Sequence, residues 1–221
     1  MRKAISTIMR GRLRLAIVAL IVAAIPLLIG ASAASGVGTM VVFNFESASQ
    51  VNPTQTGADT TCSAPNWLGS NAGVPSQSGV QASEGASSLA LPVNYVGGGW
   101  DQEGIDCVLT WPRPWDLSPF ATISADVWVP MTGISAGVGF NNPWTPGPQR
   151  MLQAGWNTVT SSILPGGDFG GGVTSANELL VQVIGRGAVY NGPVYIDNIR
   201  LLPSPNPVSY THLTLPTILR V

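Results

Sequence analysis

The chain has 221 residues, of which only 10% are charged, and its formal net charge is −1. Six of the ten basic residues lie within the first 14 positions or at position 220, so residues 35–207 hold four basic and eleven acidic residues, a net charge of about −7. Phosphate backbones repel so acidic a domain, which argues against nucleic acid as a partner. The only histidine, His212, lies outside this region, which excludes an imidazole base or metal ligand within it.

The N-terminal segment has the three parts of a secretory signal peptide. Positions 2–14 contain basic residues and no acid, positions 15–30 are apolar or small, and the sequence ASA follows at 31–33. This pattern predicts a signal peptide over residues 1–33, and therefore a secreted protein with no membrane contact after cleavage. A retained membrane anchor is the alternative, because the apolar stretch is near the length that spans a bilayer.

The C-terminal segment is unlike the rest of the chain. Residues 208–217 (VSYTHLTLPT) resemble the translation of a transposon-end adapter used in sequencing libraries. We therefore expect residues 208–221 to be a non-native tail, with an ordinary terminal strand as the alternative. Residues 203–207 are rich in proline and predict the start of a linker. One domain, residues 34–202, is left.

Within this domain the sequence predicts strands and no helix. The clearest alternation runs from Ile123 to Val129, where the odd positions are apolar. Groups of Gly, Pro and Asn at 97–99, 143–148 and 191–193 predict turns, and residues 51–83 predict a long loop. The pattern favours an all-β, two-sheet sandwich or jelly roll. Its eight predicted strands are residues 40–46, 88–93, 105–111, 121–129, 134–140, 156–163, 179–184 and 194–202.

Cys62 and Cys107 are the only cysteines. In an exported chain they predict a disulfide, which would stabilise the fold by about 4 kcal/mol through loop closure. Two buried free thiols are the alternative.

Three segments of the domain stand out together: VFNFE at 42–46, GWNTV at 155–159 and VYIDNIRL at 194–201. With residues 116–130, they resemble carbohydrate-binding modules of the galactose-binding-like β-sandwich type, which are appended to secreted glycoside hydrolases. The resemblance implies that the first and last strands lie side by side and that Glu46 and Asp197 help to hold a structural calcium ion. Calcium needs about six or more oxygens, so backbone carbonyls would complete its shell. Hydrogen bonds from backbone amides to Asp197 are the alternative.

The seven tryptophans suggest a sugar ligand. Aromatic rings stack on the apolar face of a sugar, while polar side chains bind its hydroxyls. We favour two groups as ligand contacts: Trp128 with Asp126 on a sheet face, and Trp100 with Asp101 and Glu103 in a loop. Any one tryptophan is nonetheless more often a packing residue. Further loop candidates are Trp67, Tyr95, Trp115 and Trp144, whereas Trp111 and Trp156 end strands and are expected in the core.

These features predict a secreted, non-catalytic, monomeric module that binds polysaccharide and is tethered to a catalytic domain. The first alternative is a structural or adhesion domain of the same fold, with its tryptophans in the core. The second is a small hydrolase using Asp101, Glu103 or Asp106, because residues two apart on a strand share a face, as the paired carboxylates of a glycosidase must. The domain lacks the residues for a serine triad or a zinc site.

Overall fold

The computed structural model describes residues 37–52, 61–65 and 73–204. The predicted signal peptide, Trp67, the linker beyond residue 204 and the predicted tail lie outside these ranges. Within them, no helix has the length and apolarity that crossing a bilayer requires. A short 3₁₀ helix spans Ala48–Gln50. The strands of the described residues are β1 (Met40–Phe43), β2 (Thr61–Ser63), β3 (Ser76–Ser78), β4 (Ser88–Val96), β5 (Asp101–Val108), β6 (Trp115–Asp116), β7 (Phe120–Val129), β8 (Ile134–Asn142), β9 (Arg150–Met151), β10 (Gly155–Ser162), β11 (Ser175–Ala176), β12 (Glu178–Gly185) and β13 (Val189–Pro203).

Two antiparallel sheets form a sandwich. Sheet A has the order β10-β7-β13-β4-β3, and β1 also pairs with β13. Sheet B has the order β2-β5-β12-β8-β9, while β6 and β11 form a separate two-stranded ribbon. The predicted all-β, two-sheet sandwich is confirmed. So is the predicted contact between the first and last strands, because Met40 of β1 pairs with Leu201 of β13.

Alternate residues of the central strands face the core between the sheets. Successive side chains of a strand point to opposite faces, so one buried apolar series defines the inward side. In β7 this series is Ile123, Ala125, Val127 and Val129, and in β12 it is Leu179, Val181 and Val183, all 0% exposed. The residues between them lie on the outward faces, where several, such as Asp126, Leu180 and Gln182, are also buried.

The eight predicted strands correspond to the longer strands and β1, with two corrections. β5 begins at Asp101 rather than at residue 105, because it pairs with β12 over its whole length. The turn predicted at 191–193 lies inside β13. There Pro193 pairs with Pro92. Because proline has no backbone N–H, neither residue can donate a hydrogen bond to the other strand. The loop predicted at 51–83 contains the short strands β2 and β3.

A disulfide joins Cys62 of β2 to Cys107 of β5, which pair directly across the two strands. Their Cα atoms are 4.0 Å apart. The predicted bond is confirmed, and it ties the edge strand β2 to sheet B.

Candidate functional site

The outward face of sheet A carries the predicted pair Trp128 and Asp126. Asp126 is 6% exposed and already engaged. It accepts hydrogen bonds from Thr158 Oγ1 at 2.6 Å, Asn198 Nδ2 at 3.1 Å and Arg200 Nη2 at 3.2 Å. A carboxylate bound by so many donors acts as a structural hub. Asp126 therefore holds neighbouring strands together.

Asp197 is the direct cross-strand neighbour of Asp126 and is completely buried. Its Oδ2 accepts hydrogen bonds from the backbone amides of Ser83 at 2.8 Å and Glu84 at 3.2 Å. The Ser83 hydroxyl lies 3.0 Å from that same oxygen and 3.1 Å from Asp126 Oδ2. Burial raises the pKa of Asp197, and these hydrogen bonds oppose the rise. The two acids thus fasten one loop to sheet A.

Glu46, the other residue expected to bind calcium, holds the same loop. Its Oε1 accepts hydrogen bonds from the amides of Ala86 at 2.9 Å and Ser87 at 3.0 Å. Among the described residues, no three or more His, Cys, Asp or Glu side chains are grouped to hold a metal. The buried Oδ1 of Asn198 accepts no hydrogen bond and could serve a cation. The residues therefore fit calcium only in part, because amide donors already occupy oxygens of both acids.

Trp128 belongs to a row of aromatic side chains across sheet A. It packs edge-on against Tyr195, with the ring centroids 5.4 Å apart and the planes at 75°. On its other side it pairs with Trp156, which was expected in the core but lies on this outward face. Trp128 and Trp156 are half-buried and Tyr195 is 6% exposed. Such contacts are typical of cross-strand packing.

Trp100 precedes β5 and is 62% exposed. The guanidinium carbon of Arg186 lies over its ring, 4.2 Å from the centroid. Its indole N–H donates a hydrogen bond to Gln102 Oε1 at 3.1 Å. The cation–π contact and this bond fix the ring while much of it faces water. Trp100 is therefore an exposed aromatic ring whose orientation is fixed by contacts within the protein.

The other members of the predicted loop group are Asp101 and Glu103, and Tyr95 is a further loop candidate. Asp101 Oδ2 accepts hydrogen bonds from the amides of Val96 at 2.8 Å and Gly98 at 3.0 Å, so it closes the turn that carries Trp100. Glu103 is 2% exposed and Tyr95 1% exposed. Burial, and then the charges of Glu103 and Asp101, raise the pKa of Tyr95. Both residues lie inside the sandwich, which corrects the expectation that they line a ligand site.

The predicted shared face of Asp101 and Glu103 is the inward face of β5. Asp106 follows Glu103 by three positions and therefore points outward. A glycosidase needs two carboxylates that flank one substrate bond. Because the three acids are divided between the two sides of sheet B, their arrangement does not support the hydrolase alternative.

The outward face of sheet B carries two polar groups separated by Leu180 of β12. We call the group near Trp100 the indole end: Gln102, Ser135, Gln149, Gln182 and Arg186. We call the other group the acidic end: Asp106, Asn141 and Glu178. Leu180 and Ile184 lie on this same side of β12 and are 0% exposed.

At the indole end, the side chains form a relay of hydrogen bonds. Arg186 Nε donates to Ser135 Oγ at 3.1 Å, and Ser135 Oγ donates to Gln149 Oε1 at 3.1 Å. Gln149 Nε2 donates in turn to Gln182 Oε1 at 3.4 Å. The relay crosses strands β12 and β8 and fixes Arg186 against Trp100.

At the acidic end, one amide bridges two carboxylates. Asn141 Nδ2 donates to Asp106 Oδ2 at 2.8 Å and to Glu178 Oε2 at 2.7 Å. Burial raises the pKa of Asp106 to about 7, the charge of Glu178 adds to the rise, and the bond from Asn141 opposes it. The buried Oδ1 of Asp106 accepts no hydrogen bond.

Two further exposed tryptophans follow the strand ends at the acidic end. Trp144, a predicted ligand contact, follows β8 and is 53% exposed. Trp111 follows β5 and is 68% exposed, so the expectation that it lies in the core is wrong. Arg113 lies over its ring, 5.1 Å from the centroid. Trp115 is half-buried, with its indole N–H bonded to the Thr110 carbonyl at 2.9 Å.

Comparison with known proteins supports the fold at the level of solved structures. No family model matches the sequence, and no curated protein matches it. The structure is similar to that of the carbohydrate-binding module CBM27-1 of Caldicellulosiruptor saccharolyticus, solved with mannohexaose: TM-score 0.55, 17% identity, over 76% of this chain and 98% of that one. It is also similar to a CBM28 carbohydrate-binding module specific for non-crystalline cellulose: TM-score 0.50, 12% identity, over 75% of this chain and 95% of that one. The chain shares their fold.

Proposed function

We propose that this protein is a secreted, non-catalytic module that binds polysaccharide on the outward face of sheet B. The observation that carries the proposal is Trp100, an exposed ring held by Arg186 on one face and by Gln102 at its edge. Two modules of the same fold support it, one solved with mannohexaose and one specific for non-crystalline cellulose.

The proposed mechanism is stacking combined with hydrogen bonding. The apolar face of a sugar covers the Trp100 ring, and polar side chains such as Gln102 bind the hydroxyls of a chain that extends along β5. Because the ring and Arg186 are fixed before binding, little side-chain freedom is lost on association. Trp111 and Trp144 at the far end of the face extend the same stacking to later sugars of the chain.

The disulfide supports export, because such bonds persist in oxidising compartments. We therefore propose an extracellular location and a monomeric module that a linker after β13 tethers to a catalytic domain. In this role the module holds the catalytic domain near its polymer.

The proposal is tested by affinity electrophoresis against mannan, xylan, β-glucan and cellulose. We expect at least one glycan to retard the protein and Trp100→Ala to weaken that binding by about tenfold or more. Trp128→Ala is the matched control, because it removes a tryptophan from the opposite sheet and is expected to change affinity by less than about threefold.

Two results would contradict the proposal. Loss of retardation in Trp128→Ala but not in Trp100→Ala would move the site to sheet A. Retardation by none of the glycans would favour the structural or adhesion alternative.

A further inference from the structure

Two glutamines of the indole end, Gln102 and Gln182, have their acceptor oxygens occupied, whereas their Nε2 groups donate to no described residue. Gln102 Oε1 accepts the hydrogen bond of the Trp100 indole, and Gln182 Oε1 accepts that of Gln149. Each amide group has one acceptor oxygen and two N–H donors. Within the described part of the chain, Nε2 of Gln102 and Nε2 of Gln182 donate to nothing. Gln182 is only 6% exposed, so the amide of Gln102 is the donor that a ligand can reach on this face.

Arg186 adds a third donor and a positive charge. Its Nε donates to Ser135 Oγ at 3.1 Å and its Nη1 to the Gly99 carbonyl at 3.4 Å, whereas Nη2 donates to no described residue. Arg150 and Arg200 each contact a carboxylate, at 3.5 Å and 3.2 Å. No carboxylate of the described residues lies within ion-pair distance of Arg186. Its charge is thus uncompensated by a direct partner.

The acidic end has the opposite balance. Asn141 Nδ2 uses its hydrogens on Asp106 and Glu178, while the buried Oδ1 of Asp106 accepts nothing. This end carries two carboxylates and therefore suits a neutral sugar rather than an anion, whereas the indole end suits a ligand rich in acceptors.

We propose that the indole end binds a glycan that carries an anionic group, a carboxylate or a sulfate ester, with one sugar ring on the face of Trp100 that Arg186 leaves open and the anion of that sugar or its neighbour on Arg186. This inference rests on the proposed function and names its ligand class. A planar guanidinium matches the geometry of such anions, and its hydrogen bonds to them are stronger than those to hydroxyl oxygens. The amide of Gln102 lies beside the same ring and adds a neutral donor.

The acidic character of the domain does not oppose this binding locally. Glu178 and Arg186 lie at opposite ends of β12, which at about 3.3 Å per residue separates them by about 26 Å. Salt at physiological strength screens exposed charges beyond about 8 Å. Asp101 and Glu103 are closer, but they point to the inward side of β5, and Asp101 already accepts two amide hydrogen bonds.

The experiment compares matched ligands by titration calorimetry. One pair is oligogalacturonate and its methyl ester, and the other is a sulfated galactan oligosaccharide and its unsulfated form. We expect one anionic member to bind about tenfold or more tightly than its neutral partner at low ionic strength, and about 0.5 M NaCl to remove most of this preference. The pair that shows the preference identifies the anion as carboxylate or sulfate.

Arg186→Gln is expected to bring the ratio of anionic to neutral affinity close to one; because Arg186 also holds Trp100, this ratio, and not the affinity for either member, is the readout. Arg150→Gln is the matched control, because it makes the same change at an exposed arginine on β9, and it should keep the preference. Arg186→Lys should retain only part of it, because lysine has the charge but not the planar fork. If Arg186→Gln does not fold, the salt dependence of the anionic preference in the unsubstituted protein still tests whether an ionic contact causes that preference.

Equal affinity for the anionic and neutral members, or a preference that survives in Arg186→Gln, would overturn the inference. Trp100-dependent binding of a neutral glycan without any anionic preference would overturn it and leave the proposed function intact. Binding of no glycan at all would overturn both.

Discussion

The outward faces of sheets A and B both place a tryptophan beside polar side chains, Trp128 near Asp126 and Trp100 near Gln102. On sheet A, Asp126 accepts hydrogen bonds from several residues and Trp128 packs against Tyr195. On sheet B, Trp100 is 62% exposed and the neighbouring amide of Gln102 keeps a free donor. Similar residues therefore serve structure on one face and remain available on the other. The two roles differ in how many hydrogen-bond donors and acceptors remain unpaired after folding.

The comparison predicts that changes on sheet A affect stability, whereas changes to the polar groups of sheet B affect binding. The disulfide gives the largest expected effect on stability. It closes a separation of 45 residues, so replacing Cys62 and Cys107 by alanine should lower the free energy of unfolding by about 4 kcal/mol. Urea unfolding measures this loss. Because the bond lies on the inward side of β5, the folded variant should keep its glycan affinity, and a loss below about 1 kcal/mol would contradict the expectation.

Asp126→Ala should have the next largest effect. It leaves Arg200 without its carboxylate and removes acceptors from Thr158 and Asn198, which should cost about 3 kcal/mol of unfolding free energy. Thr158→Ala removes one of these bonds and should cost about 1 kcal/mol. Glycan affinity measured on the same two proteins should not change. A variant that is stable but does not bind would assign the site to sheet A instead.

Asp106 should make stability depend on pH. Its pKa of about 7 in the folded protein lies above its ordinary value of 3.8, so the folded state holds the proton more tightly than the unfolded state does. The stabilisation is complete below the ordinary pKa and is lost as the pH rises through about 7. Thermal unfolding should therefore show Tm falling by a few degrees between pH 5 and pH 8.

Asp106→Asn isolates this contribution. Burial also raises the pKa of Asp197, which gives a fall of the same sign in both proteins. The difference between the two Tm profiles therefore reports Asp106 alone, and identical profiles would contradict its raised pKa.

The predicted calcium ion should have the smallest effect, because amide hydrogen bonds already hold the loop at Glu46 and Asp197. About 1 mM calcium added to chelator-treated protein should raise Tm slightly by stabilising the folded state. The same addition to Glu46→Gln should not. If calcium leaves the Tm of the unsubstituted protein unchanged, the prediction of a bound calcium ion is wrong.

The sequence was sufficient to predict the architecture, because alternation such as that of residues 123–129 directly marks a half-buried strand. It also indicated the disulfide, and it singled out Trp100 as a candidate ligand contact, which the structure places at the surface. It could not show that Glu103 faces inward, because that depends on where β5 begins and how it pairs with β12. The extension of β5 to Asp101 places Glu103 on the same side as Ile105 and Cys107, inside the sandwich.

The partners of Trp100 were beyond sequence reasoning for a related reason. Arg186 follows β12, Ser135 lies in β8 and Gln102 in β5, and none belongs to a motif. Gln102 is two residues from Trp100, whereas only the pairing of β5, β12 and β8 brings Arg186 and Ser135 beside it. The polar positions of β12, Glu178 and Gln182, were a weak signal, because they alternate with inward apolar residues and so mark an outward face.

The pairing of β1 with β13 has a consequence for how such a domain can be joined to others. Met40 and Leu201 are opposite each other, so the polypeptide enters and leaves the sandwich at adjacent points. A unit with neighbouring entry and exit points can be inserted into a longer protein without separating the parts on either side. Its aromatic surface can then turn toward a polymer independently of them.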